Sequence, residues 1–70
     1  MSDEAKSLGT ALPKEIARVR DLLPLYDAIP TGVFAATMMR RSLDAAVKAL
    51  AEGDLPAMVS AYEDLKGYSA

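Results

Sequence analysis

TGVFAATMMRRSLDAAVKALAEG, residues 31–53, is the stretch whose reading decides how this chain folds. No proline interrupts it, and alanine and other strong helix formers dominate it, which predicts one helix over about residues 32–52. Thr31 offers a hydroxyl to an orphan N–H of the first turn, the role of an N-cap. Gly53 can enter the left-handed conformation that ends a helix. At about 100° per residue, Ala36, Met39, Leu43, Ala46, Val47 and Leu50 share one face. Ala35, Met38, Ser42 and Ala49 widen that face to about half the circumference. The charges Arg40, Arg41, Asp44, Lys48 and Glu52 occupy most of the other half. So wide an apolar stripe needs cover from two sides, and this is read as a central helix.

Downstream, a new helix follows at once. Asp54 can cap it, Pro56 suits its first turn and Gly67 can end it, giving a third helix over about 55–66. So short a link makes the second and third helices an antiparallel hairpin. Leu55, Met58, Val59, Tyr62 and Leu65 form the expected inner face, and Tyr68 is expected to fold back after Gly67.

Upstream, Pro13 suits a first turn, and Leu12, Ile16, Val19, Leu23 and Tyr26 repeat at four-three-four-three spacing. They predict a first helix over about 13–28, kinked or broken at Pro24, where one helical hydrogen bond is lost. Residues 1–11 are small, polar and charged, and are read as a disordered tail. The expectation is an all-α protein with one three-helix domain over 12–70.

With 70 residues and 51% hydrophobic content, the chain can fold as one domain, but its core is of marginal size. There is no cysteine, so no disulfide can reinforce it. Self-association is the remaining common remedy, and a homodimer is expected. The opening MSDEAKSLGT lacks the basic start and long apolar run of a secretory signal, and no segment approaches a membrane span, so a cytoplasmic protein is expected.

Histidine is absent as well, which removes the usual proton-transfer group near neutral pH and, with cysteine, the usual zinc ligands. Glu63 and Asp64 are adjacent on a helix and diverge by about 100°, too far to share a substrate. Asp54 is explained by capping. No catalytic, cofactor-binding or metal-binding residue is therefore predicted, and the protein is not read as an enzyme. Arg40, Asp44, Lys48 and Glu52 alternate in sign four apart, a pattern of weak surface pairs. A net charge of −2 disfavours a nucleic-acid partner. The alternative function, a nucleic-acid-associated regulator, would use Arg40, Arg41 and Lys48, although Glu63 and Asp64 on the next helix would repel phosphate.

Phe34 lies off the main apolar face. It either packs under the Pro24–Pro30 connection or forms an exposed apolar strip with Met38, Ala45 and Ala49, the kind of strip that marks a partner surface. In the second case Phe34 and Met38 are apolar anchors, Arg41 and Lys48 are a polar rim with Ala45 beside them, and the partners are a second copy and an unidentified protein. Tyr26, Tyr62 and Tyr68 are expected to bury their rings and keep their hydroxyls in water.

The run AEGDLPAMVSAYEDL, residues 51–65, resembles the turn and second helix of a tetratricopeptide unit, with Met58 and Tyr62 at its small and aromatic positions. Ala45, Ala46 and Ala49 match small positions of such a unit's first helix. The resemblance implies a helical hairpin, and one unit alone does not build the stacked array of that family. The segments LPKEIARVRDLLPLYDAIP (12–30) and AYEDLKGY (61–68) are also similar to short helical proteins of proteobacteria and their temperate phages. That similarity implies a small accessory or phage-encoded interaction protein and carries no site residues.

Overall fold

The structure is a computed structural model that describes residues 3–69. Among these residues there are three helices and no strand: α1 (Asp3–Asp27), α2 (Val33–Glu52) and α3 (Leu55–Lys66), with a 3-10 turn, Pro30–Gly32, before α2. Each helix packs against both of the others in an up-down-up bundle of 45 × 16 × 15 Å. At ~1.5 Å per residue α1 is about 37 Å long, and it sets the long dimension. No helix among the described residues is long and apolar enough to cross a membrane.

The first helix differs most from the sequence reading. It starts at Asp3 and not near Pro13, so the described part of the expected tail, residues 3–11, forms its first turns. Met1 and Ser2 lie outside the described residues. Leu8 is the reason the helix extends: it stands one turn before Leu12 and is buried with Leu12, Ile16 and Val19 in the core. Pro13 is consequently an interior proline, at a cost of about 3 kcal/mol. Burial of Leu8 and Leu12, at roughly 1.5–3 kcal/mol each, offsets it.

Pro24 neither breaks nor kinks the helix, which is straight and runs on to Asp27. Hydrogen bonding resumes where the Ala28 N–H donates to the Pro24 carbonyl at 3.1 Å. Leu22, Leu23 and Tyr26 pack on the core around Pro24 and hold the last turn in line. Arg20, whose carbonyl loses its helical partner, is exposed, so water can replace the lost bond.

Thr31 is not the cap of α2. It sits inside the 3-10 turn that Pro30 opens, and Gly32 takes the N-cap position without a side-chain bond. Gly32 is buried, and a Cβ there would overlap the Tyr26 carbonyl oxygen, so only glycine lets α2 start this close to the end of α1.

Along α2 the buried residues are Ala36, Met39, Ser42, Leu43, Ala46 and Ala49. This is the predicted face, narrowed: Met38 and Val47 are exposed. The predicted stop is present. Gly53 adopts φ 64°, and the backbone N–H groups at this cap satisfy the carbonyls of Ala49 and Leu50. Gly53→Ala is expected to destabilise the domain by about 1 kcal/mol, from strain at positive φ alone, since a Cβ would meet no neighbour within 4 Å. Chemical denaturation followed by circular dichroism reads this directly.

Asp54 caps α3 as predicted, accepting from the Ala57 N–H at 3.3 Å, with Pro56 in the first turn. The inner face of α3 is Met58, Ala61 and Leu65. Leu55 and Val59, expected inside, lie largely in solvent. A dozen residues make just over three turns, so α3 fills only part of the length offered by α1 and α2.

Candidate functional site

Two features are set up by this fold, and the first was not foreseen from sequence. Arg18, halfway along α1, reaches the C-terminal end of α3. Its Nη2 donates to the Leu65 carbonyl and its Nη1 to the Tyr68 carbonyl, each at 2.8 Å, while Nε donates to Glu15 at 2.6 Å. The last carbonyls of a helix have no partner within it and carry the negative end of its dipole, so a guanidinium is well matched to them. Two tyrosines complete the clasp. The Tyr26 hydroxyl donates to the Ser69 carbonyl, and the Tyr68 hydroxyl shares a hydrogen bond of 2.9 Å with buried Ser42. The segment after α3 is thereby tied to α1 and α2. The fold-back of Tyr68 is as predicted, but these tyrosine hydroxyls bond to protein and are not left to water.

The second feature is the outer stripe of α2. Phe34, Met38, Arg41, Ala45 and Lys48 repeat at four-three-four-three spacing and are all exposed. Phe34 does not pack under the 24–30 connection: it is 78% exposed, the most of any large apolar residue in the core survey, and Met38 is 41% exposed. Ala49, expected in the same strip, is buried. Three further residues join the stripe at the end where α1 turns into α2, with Val33 at 61%, Leu25 at 54% and Ile29 at 50% exposure. All three lie within three residues of Pro24 or Pro30. That punctuation in the sequence marks a chain reversal, and apolar residues at a reversal have no neighbouring helix to cover them. Leu25, Ile29, Val33, Phe34 and Met38 leave roughly 500 Å² of apolar surface in water, toward the top of the usual range for the largest patch of a monomer.

Beside the stripe runs a shallow groove between α2 and α3, lined by Ala45, Ala57, Ser60, Ala61 and Asp64. On the opposite flank of α2, Arg40 donates to Asp27 of α1 at 2.6 Å, and the alternating ladder of Arg40, Asp44, Lys48 and Glu52 forms no ion pair among its own members. Arg40 is thus held to α1, whereas Arg41 and Lys48 lie in solvent on the outer stripe.

Among the described residues no group of three or more His, Cys, Asp or Glu side chains could hold a metal ion. No buried side-chain nitrogen or oxygen there lacks a hydrogen-bond partner, so the interior polar groups are satisfied within the protein. What the arrangement offers is a surface: apolar at the inter-helix turn, basic along the middle of α2, with a small-residue groove beside it. Comparison with protein-family models, curated proteins and solved structures finds none that matches this chain.

Proposed function

We propose that this chain is a small interaction module without catalytic activity, working in the cytoplasm, which self-associates through the outer stripe of α2 and docks on another protein. The observation that carries this reading is the exposure of Phe34 beside Met38, Val33, Leu25 and Ile29. A phenylalanine left in water forgoes most of the roughly 1.5–3 kcal/mol that burial supplies, and a contiguous set of such residues marks a surface with a partner. Arg41 and Lys48 provide the polar rim, and methionine adapts readily to the shape of a facing helix.

Sedimentation velocity of wild type, Phe34→Glu and Met38→Glu tests the reading. Wild type is expected to sediment as a dimer. Each variant should weaken the dimer by roughly thirtyfold, the equivalent of a 2 kcal/mol anchor. Helicity and monomer stability should stay unchanged, because neither side chain belongs to the core. Three monomers of equal stability would refute self-association through this stripe.

A further inference from the structure

How two copies would face each other can be argued from the groove between α2 and α3. Its two rims differ in sign: α2 carries Arg41 and Lys48 beside Ala45, whereas α3 carries Asp64 beside Ser60. The floor is small, with Ala45, Ala57 and Ala61, which allows a facing helix to approach closely. Heights along the groove are set within one protomer. Ala45 and Asp64 line the same groove, and Ser42 meets Tyr68 at 2.9 Å. Arg41, next to Ser42 in sequence and one turn before Ala45, therefore stands about level with Asp64.

We infer that a second copy of this chain packs on this face about a two-fold axis parallel to the groove, α2 of each protomer lying against α3 of the other and Arg41 facing the partner's Asp64. This rests on the self-association proposed above. A rotation about an axis parallel to the groove exchanges its rims but keeps heights unchanged. Residues level with each other inside one protomer are then level across the interface, and basic rim meets acidic rim twice. The other face-to-face two-fold axis, across the groove, stacks α2 on α2 and sets the Arg41–Lys48 stretch against its own copy. Like charges brought together in that way are unfavourable, so the charge pattern selects the parallel axis.

The same arrangement accounts for the apolar end. Since Ser42 is level with Tyr68, just past the end of α3, Met38 and Phe34 extend beyond α3 altogether. There α2 has no intramolecular neighbour on that side, and the two copies' Phe34 and Met38 come together near the axis. The apolar patch together with the groove approaches the ~800 Å² per partner of a standard interface. The product is a four-helix contact of α2, α3 and their copies.

Charge reversal tests the arrangement by analytical ultracentrifugation on the full chain. Arg41→Glu alone puts two acids opposite each other at both symmetry-related contacts, and Asp64→Arg alone puts two bases there. Each is expected to self-associate at least about tenfold more weakly than wild type. An equimolar mixture of the two variants restores an opposite-charge pair at both contacts, and should form a heterodimer close to wild type in affinity. The double variant carrying both changes in one chain should recover likewise. Both residues are exposed, so circular dichroism should show all variants folded. A wild-type dimer that neither reversal weakens, or a mixture that fails to recover, overturns this arrangement and leaves self-association standing. A wild-type monomer overturns both.

Discussion

Leu12→Ala is expected to lower the free energy of unfolding by about 3 kcal/mol, and Leu8→Ala by about 2 kcal/mol. Leu12 has no exposed surface and Leu8 very little, and both belong to the one cluster that joins the three helices. A domain of this size has only some 4–10 kcal/mol in total, so Leu12→Ala removes a large share of it. Urea denaturation should show a lower midpoint with an unchanged slope, the sign of a stability change and not of a less compact native state. Leu8 is the more discriminating of the two. If residues 3–11 were a loose tail, truncating Leu8 would alter stability by less than about 0.5 kcal/mol. A value that small would detach the first turns of α1 from the core, and the helix would then begin near Pro13.

That contrast shows why α1 was the least legible element. Between Asp3 and Ala11 the chain offers Leu8 as the sole large apolar residue, together with Gly9 and a proline two residues beyond the segment. Local propensity therefore argues against a helix, and only the tertiary fact that α2 and α3 supply a surface for Leu8 reverses it. Pro24 misleads for the same reason, since packing around it carries the helix straight through. By contrast, α2 and the α2–α3 hairpin were legible because their signals are local. Gly53 needs a left-handed turn, and Asp54 with Pro56 needs only its own next turn. The five proposed contact residues were also readable, since 3.6-residue periodicity alone puts Phe34, Met38, Arg41, Ala45 and Lys48 on one stripe. Whether Phe34 was covered was not readable: it depends on the path of the 28–32 connection. Val33, Ile29 and Leu25 were missed because a two-sided apolar pattern near a turn resembles core.

Arg18→Ala is expected to cost about 2 kcal/mol, although the residue looks in sequence like any other surface arginine. Its acceptors are the backbone carbonyls of Leu65 and Tyr68, which leave no trace in side-chain pattern at a separation of 47 and 50 residues. Hydrogen bonds with a charged donor contribute roughly 1.5–3 kcal/mol each where water is excluded. The Arg18 side chain is 40% exposed, so solvent recovers part of that, and two such bonds come to about 2 kcal/mol together. Arg18→Lys keeps the charge but loses the planar fork that reaches two carbonyls at once, and should restore less than half of the loss. Glu15→Gln separates the two roles of the guanidinium. A surface ion pair is worth at most about 1 kcal/mol, so this variant should stay within about 0.5 kcal/mol of wild type. Amide exchange gives the local reading. The Gly67 and Tyr68 N–H groups, bonded to the carbonyls of Asp64 and Leu65, should exchange faster in Arg18→Ala than the loss of global stability explains. If Glu15→Gln is as costly as Arg18→Ala, the ion pair within α1 is the stabilising contact and the clasp on α3 is incidental.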